Sequence, residues 1–431
     1  MTKIFRKTFI ILFALFLGGI HVIAGQEKQP EIGLPYPDWE EGELDIHHIY
    51  TGRGEANFFI LPDGTSMLID AGNYDRQDYL LMTPALPDTT RQAGEWIARY
   101  IERVNPHKDH VNYFFLSHFH DDHFGEVRNT MQMTTGRDPD YILSGISEVA
   151  EQIHFDKLVD SSYPRYDFPR EDPNDKHLRN YRNFVEWQTK SGGLKAEPFS
   201  VGSTDQFVLH HDASSYPGFK VRNLVSNGVV WTGKGIETDS LVCDTRKNRH
   251  RDFSINTMSC GIRVSYGAFN YFTAGDLSGR VSDEKGNVFD IEEMVAMVCG
   301  EVDICKVNHH GFHDAMPEGF VRNIRAAHYI FPVWDYQHVQ ASVIGRVTSL
   351  KLHNGKQSRL YFTYIPTCLR EKCRSRVWGK QIAEENGHVI VKVLPQGDRY
   401  KIYIVSAEDE SMTVKAVYGP FFSKKREDKQ P

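Results

Sequence analysis

The sequence predicts an α/β sandwich, with strands and helices interleaved rather than gathered into a bundle, and three observations carry that prediction. Short apolar, β-prone runs recur along the chain and stop abruptly at turn residues or at His and Asp. Ala93 to Val104 places Trp96, Ile97, Tyr100, Ile101 and Val104 at helical spacing. The 34 glycines and 19 prolines among 431 residues supply the turns such a fold needs. A chain that is 40% hydrophobic and 25% charged is ordinary for a globular protein, which argues against disorder and coiled coil. The length allows one large core or two domains.

Residues 1–24 read as a secretory signal peptide. Lys3, Arg6 and Lys7 precede an apolar run from Phe9 to Ile20 that is short for a membrane span, and Val22-Ile23-Ala24 leads to a cleavage point before Gly25. The mature protein is expected to be exported, periplasmic or secreted, with no stable membrane span after cleavage. Losing three positive charges takes the formal net charge from −7 to −10, which disfavours attraction of polyanions through the overall field. The six cysteines form no CxxC metal pair. Cys368 and Cys373 are close enough to be bridged in a loop, and Cys299 and Cys305 either pair or lie buried.

Residues 25–43 read as a linker or surface-hugging arm. Asp45 to Tyr50 is the first strand; Ala56 to Leu61, the turn Pro62-Asp63-Gly64 and Ser66 to Ile69 form a hairpin. Helix Ala93 to Val104 precedes the apolar strand Val111 to Leu116. Gly145 to Ile153 and Tyr181 to Thr189 are expected as helices, with residues 155–180 a long surface insertion. Phe207 to His210, Lys220 to Val225, Gly261 to Ser265 and Ala268 to Thr273 follow as strands. Arg359 to Tyr364, His388 to Leu394, Tyr400 to Val405 and Thr413 to Tyr418 alternate as strands do. They set residues 347–431 apart as a β-rich extension beside a main domain of residues 44–346.

The strongest chemical signal is Ser117-His118-Phe119-His120-Asp121-Asp122-His123 at the end of an apolar strand. Three imidazoles and two carboxylates in so short a loop offer the N and O donors that borderline divalent metals prefer. An extended backbone points His118 and His120 to one side. Asp122 and His123 lie past the bend and can face a second ion.

This HxHxDH pattern after a hydrophobic strand resembles the hallmark of the metallo-β-lactamase superfamily. The resemblance implies a four-layer αββα metallo-β-lactamase sandwich, here with a small C-terminal β appendage. It also implies that His118 and His120 bind one ion and that Asp122 and His123 bind a second. Three later or earlier segments recur in the family's order. Leu68-Ile69-Asp70-Ala71-Gly72 resembles the motif whose Asp orients the metal loop from behind. Phe272-Thr273-Ala274-Gly275-Asp276 resembles the segment whose Asp bridges both ions. Lys306-Val307-Asn308-His309-His310-Gly311 resembles the last motif, in which His309, first after its strand, is expected to complete the second set and His310 to support it.

Thr51-Gly52-Arg53-Gly54-Glu55-Ala56, LPDG and LIDAG further resemble the opening of the metallo-hydrolase domain of ComEC, the bacterial DNA-uptake channel protein. Gln337-His338 is similar to that group's GHP motif. Arg53, Glu55 and Phe312 depart from it. The family's mid-chain His ligand is missing from Asp252 to Ser259. Asn256 stands there as a weak oxygen donor or a substrate contact, and His250 is near enough in sequence to reach in. His154, His177, His210 and His211 are expected to be surface or packing residues.

The resemblance implies one or two divalent ions, zinc first and Mn2+ or Fe2+ as alternatives. A water between them would titrate near ~7 and serve as a metal-activated hydroxide. Asp122 would orient the nucleophile, and His338 or His310 would contact a phosphate or protonate a leaving group. The expected substrate is a phosphodiester or related phosphoester, small-molecule or nucleic acid. The alternatives are a lactone, β-lactam or other carboxylic ester or amide, or no substrate at all in a silent envelope binding protein.

Overall fold

The computed structural model describes residues 31–75, 79–166, 175–241, 254–283, 285–338, 340–365, 367, 370–371 and 375–424. The expected signal peptide, His250 and the cysteines at 243, 368 and 373 lie outside the described residues.

In chain order the first half comprises β1 (Leu44–His48), β2 (Asn57–Ile60), β3 (Ser66–Ile69), α1 (Ala93–Val104), β4 (His110–Phe115), α2 (Asp121–Phe124), α3 (Ile146–Val149), β5 (His154–Asp160), α4 (Lys176–Ser191) and β6 (Lys195–Pro198). The second half begins with β7 (Phe219–Ser226), β8 (Val229–Trp231), β9 (Thr238–Ser240), β10 (Gly261–Tyr266) and β11 (Phe269–Thr273). It continues through the short hairpin β12 (Arg280–Ser282) and β13 (Val288–Asp290), α5 (Ile291–Cys299), β14 (Ile304–Lys306), α6 (Glu318–Ile324), β15 (His328–Phe331), α7 (Ala341–Val347) and β16 (Arg359–Phe362). The chain closes with β17 (His388–Val393), β18 (Arg399–Val405) and β19 (Val414–Phe422).

Two large mixed sheets result. One runs β19-β18-β17-β1-β2-β3-β4-β5-β6, the other β16-β15-β14-β11-β10-β7-β8-β9. Alternation along each strand builds the layers. In β4 and the residue after it, Tyr113 and Phe115 face the second sheet, while Phe114 and Leu116 face the outer helices. The inner layer joins Phe59, Met67 and Ile69 to Ile262, Val264, Tyr271 and Ile330. Outside the first sheet, Ile97 and Ile101 of α1 and Phe184 and Val185 of α4 pack on Phe58, Leu68 and Phe114. Outside the second, Val295 of α5, Phe320 of α6 and Ile344 of α7 pack on Phe272, Tyr329 and Phe331. Each large apolar side chain so buried contributes about 1.5–3 kcal/mol. The chain is thus a four-layer αββα sandwich, the architecture the motif resemblance implies. Among the described residues no helix is long and apolar enough to cross a membrane.

Helix α1 has the range its periodicity predicts, and its start is closed by Glu95, whose carboxylate accepts from the Gln92 N–H at 3.2 Å. Asp175 caps α4 and Asp290 caps α5 through pairs of backbone N–H groups. Four expectations differ from the structure. At both described ends of the expected insertion over 155–180 lie regular elements: β5 runs parallel between β4 and β6, its polar start masking a buried end, and α4 begins at Lys176. Phe207 to His210 forms no strand; the Val208 backbone bonds the Tyr113 hydroxyl instead. The helix expected over 145–153 is reduced to α3. The C-terminal residues are no appendage, because β17 pairs antiparallel with β1 and β16 pairs parallel with β15. Cys260, Cys299 and Cys305 are all buried, Cys260 and Cys305 as free thiols.

Strands β3 and β4 are parallel, so Asp70 and Ser117 emerge at one end of the first sheet. Strands β11, β14 and β15 are parallel, so Asp276, His309 and His310, and Trp334 emerge at one end of the second. Crevices outside carboxyl ends of strands are where α/β sheets gather their functional side chains.

Candidate metal centre

The site is built on the loop that leaves β4. His118 and His120 lie on the extended segment with ring centroids 4.9 Å apart, and His120 then starts the single turn α2, which carries Asp122 and His123 inward. Asp70 holds this loop from below. Its carboxylate accepts from the Ser117 N–H at 2.8 Å and the Ser117 hydroxyl at 2.7 Å, and it lies 2.8 Å from His123 Nδ1. The backbone around Glu55 and Gly72 clamps the far side. Glu55 N–H donates to the Asp122 carbonyl at 2.8 Å, and Ala71 N–H to the His123 carbonyl at 2.7 Å. A Cβ at Gly72 would stand 1.9 Å from the Asp122 carbonyl oxygen, so only glycine permits that approach.

Two groups of donors meet across Asp276. His118, His120 and Asp276 form one; Glu55, His123, Asp276 and His310 form the other, with donor atoms in each group within 4.8 Å of one another. Asp276 Oδ1 is 3.3 Å from His123 Nε2 and 3.4 Å from His310 Nε2, and its Oδ2 is 3.9 Å from His118 Nε2. Asp122 Oδ2 accepts from the Trp334 indole at 3.0 Å and is 3.1 Å from His310 Nε2.

The expectation for the last motif is corrected here. His310, not His309, joins Asp122, His123 and Asp276, while His309 turns to the Asp276 Oδ2 side at 4.0 Å. Both residues have left-handed backbone, φ 45° and 50°, so consecutive imidazoles diverge. Such residues cost about 1–2 kcal/mol each, strain that an ordinary loop would shed. His338 stacks on His310 at 4.5 Å, its Nδ1 buried and without a hydrogen-bond partner. Asn256 is buried, with Nδ2 3.1 Å from His309 Nε2. His154 stacks on His110 at the opposite end of β4.

A divalent cation suits these residues on two counts. His123 Nε2 and Asp276 Oδ1 are buried with no hydrogen-bond partner. The rear nitrogen of each key imidazole is already engaged: Nδ1 of His118 with Ser117 Oγ at 3.0 Å, of His123 with Asp70, and of His310 with the Pro332 carbonyl at 2.8 Å. Each ring therefore presents Nε2 to the centre, the arrangement of metal-binding histidines.

The electrostatics agree. Burial disfavours the charged form of His123, but Asp276, Asp122 and Asp70 outweigh it and raise its pKa well above the ordinary value. Burial likewise opposes charge on His310, yet the negative charge of Asp276 first, then the hydrogen bond to Asp122, carry it up to about 9. Asp122 and Asp276, despite burial, are held well below the ordinary carboxylate range by these imidazoles. Burial lowers His118, His120 and His338.

A pH dependence follows for the chelated protein. An unfolded imidazole titrates near ~6.5, and the folded His310 value is higher. Its stabilising contribution is therefore complete below about pH 6.5 and lost as pH rises through about 9. Metal must displace the same protons, so affinity runs the opposite way. Thermal melts after chelation are expected to fall across this window while Zn2+ affinity by competition titration rises; two flat profiles would refute the assignment.

Sequence reasoning missed Glu55. It is buried beneath the centre, 2.9 Å from Lys306 Nζ and 3.4 Å from His310 Nδ1. Its position in the GRGEA motif was the only available signal.

No protein-family profile matches the chain, and no curated protein matches it. Among solved structures the chain is similar to one described as the crystal structure of a new diphosphatase from the PhnP family. The two are 10% identical, with TM-score 0.36, over 81% of this chain and 97% of that one. The fold assignment rests on strand order and layers, not on this likeness.

Proposed function

We propose that the protein is an exported, metal-dependent hydrolase of a phosphodiester or related phosphoester. The observation that carries the metal-dependent part is the convergence of His118, His120, Asp122, His123 and His310 on Asp276, with unpartnered buried donor atoms at its centre. When bound, divalent ions polarise a phosphoryl or carbonyl oxygen and acidify water. Zinc suits the mixed nitrogen and carboxylate donors best, with manganese and iron next.

The chain's own residues define what surrounds such a reaction. Asp122 is ionised and held by the Trp334 indole, so it serves as ligand and orienting acceptor rather than as an acid. His338 is buried and neutral, which suits hydrogen bonding to substrate better than proton donation. His120 and His309 are the members partly open to solvent, so substrate meets the centre on their side.

Phosphoester as the substrate class draws its support from the ComEC-like opening and HHG motifs, and export from the basic and apolar N-terminal residues. The acidic balance of −7 favours a small substrate over tight, nonspecific nucleic-acid binding. The test is metal analysis of protein purified without chelator, followed by assay on bis-p-nitrophenyl phosphate, nitrocefin and an acyl lactone. Chelator-sensitive turnover of the phosphodiester is expected. Turnover of nitrocefin or lactone alone would move the substrate to the carboxylic class, and metal-free, inactive protein would make the fold a binding module.

A further inference from the structure

Among the described residues the first donor group has three members, His118, His120 and Asp276, whereas a closed tetrahedral site takes four. The chain supplies no histidine between Asp252 and Ser259 to fill the place. His309 stands on that side. Its Nε2 is 4.0 Å from Asp276 Oδ2, the oxygen that also faces His118 at 3.9 Å. Ligand–ligand edges in a tetrahedral zinc site are about 3.3–3.5 Å, so the Asp276 edge closes with a ring shift of about half an ångström.

The rear of the ring is equally telling. His309 Nδ1 is 2.7 Å from Asp314 Oδ1, and Asp314 Oδ2 accepts from the Ser278 hydroxyl at 3.0 Å. With its proton directed at that carboxylate, His309 turns Nε2 forward, as His118, His123 and His310 do, and the Asn256 amide nitrogen 3.1 Å from it is the contact an ion would displace. The left-handed backbone at both His309 and His310 splits the pair between the two donor groups. A single HHG segment thereby serves both sides of Asp276.

We propose that His309 is the fourth donor of the first metal set, replacing the absent mid-chain imidazole, and that Asp314 positions it. The proposal rests on the metal-centre reading above.

The test titrates Co2+ into the chelated full-length protein, reading visible absorption and bound metal. The wild type is expected to bind two equivalents and His309→Gly one. Glycine accepts φ 45° without strain, so this variant is expected to melt no lower than wild type after chelation. Added imidazole is expected to restore the lost equivalent and its spectrum, because the His309 side chain is 20% exposed and its place is reachable. Asn256→Ala is expected to keep both equivalents. Unchanged Co2+ binding in His309→Gly, a wild type that binds only one equivalent irrespective of His309, or loss of an ion in Asn256→Ala instead would overturn the proposal. A wild type that binds no Co2+ would instead bring down the metal-centre reading itself.

Discussion

Asp276→Asn is expected to strip the centre of both ions and to lower turnover more than any other single isosteric change. Among the described residues Asp276 alone belongs to both donor groups. Its two oxygens face opposite sides, Oδ1 toward His123 and His310 and Oδ2 toward His118 and His309. The amide keeps the shape and removes the charge, so packing is preserved while the shared anionic donor is lost. Mutating a residue that merely supports a ligand costs about 10–100-fold in metal affinity or activity, and a donor shared by two ions must exceed that range.

A second readout separates this from damage to the fold. Burial opposes charge on His310, and Asp276 is the largest contribution working the other way, lifting the group to about 9. In chelated Asp276→Asn the His310 titration, followed by the imidazole proton resonance, is expected to move down. Retention of full metal content and an unmoved His310 titration would show that Asp276 does not bridge the two groups.

The parts of this centre that were legible in the sequence are those set by local pattern. HxHxDH at the end of an apolar strand, Asp70 after SMLI and Asp276 after FNYFT each mark a strand end; parallel β3 and β4 bring the first two to one end of the first sheet, and Asp276 meets them from β11 of the second. The amphipathic spacing of α1 needed no tertiary information either. The division of labour between His309 and His310 depends on two left-handed residues in succession, and nothing in the letters HHG encodes which ring turns which way. The joining of β17 to β1 pairs residues such as Ile46 and Val391, far apart in sequence, and each strand alone reads equally well as part of a separate unit. Strand β5 was hidden because Asp156 and Lys157 interrupt its apolar alternation near the exposed start. Glu55 carries meaning only once Lys306 is known to lie against it.

That pair yields the largest expected effect on stability. Lys306 Nζ is 2.9 Å from Glu55 Oε2 and 2.8 Å from the Gly275 carbonyl, and the two side chains are 0% and 1% exposed. Burial pushes the Glu55 carboxyl up, but Lys306 first, then His123 and His310, bring it below its ordinary value. Lys306→Met fills the same space and leaves a carboxylate buried near Asp276 without its principal counter-charge. Breaking one side of a buried pair costs about 3–5 kcal/mol, whereas replacing both sides is often close to neutral. Denaturant unfolding of the chelated protein at neutral pH is therefore expected to show most of that loss in Lys306→Met and its substantial recovery in Lys306→Met/Glu55→Gln. The pH dependence supplies the mechanism. Without Lys306 the folded Glu55 value rises above its unfolded one, so the deficit of the single variant shrinks as pH falls and Glu55 takes up a proton. A loss arising from packing alone would be independent of pH and would persist in the double variant.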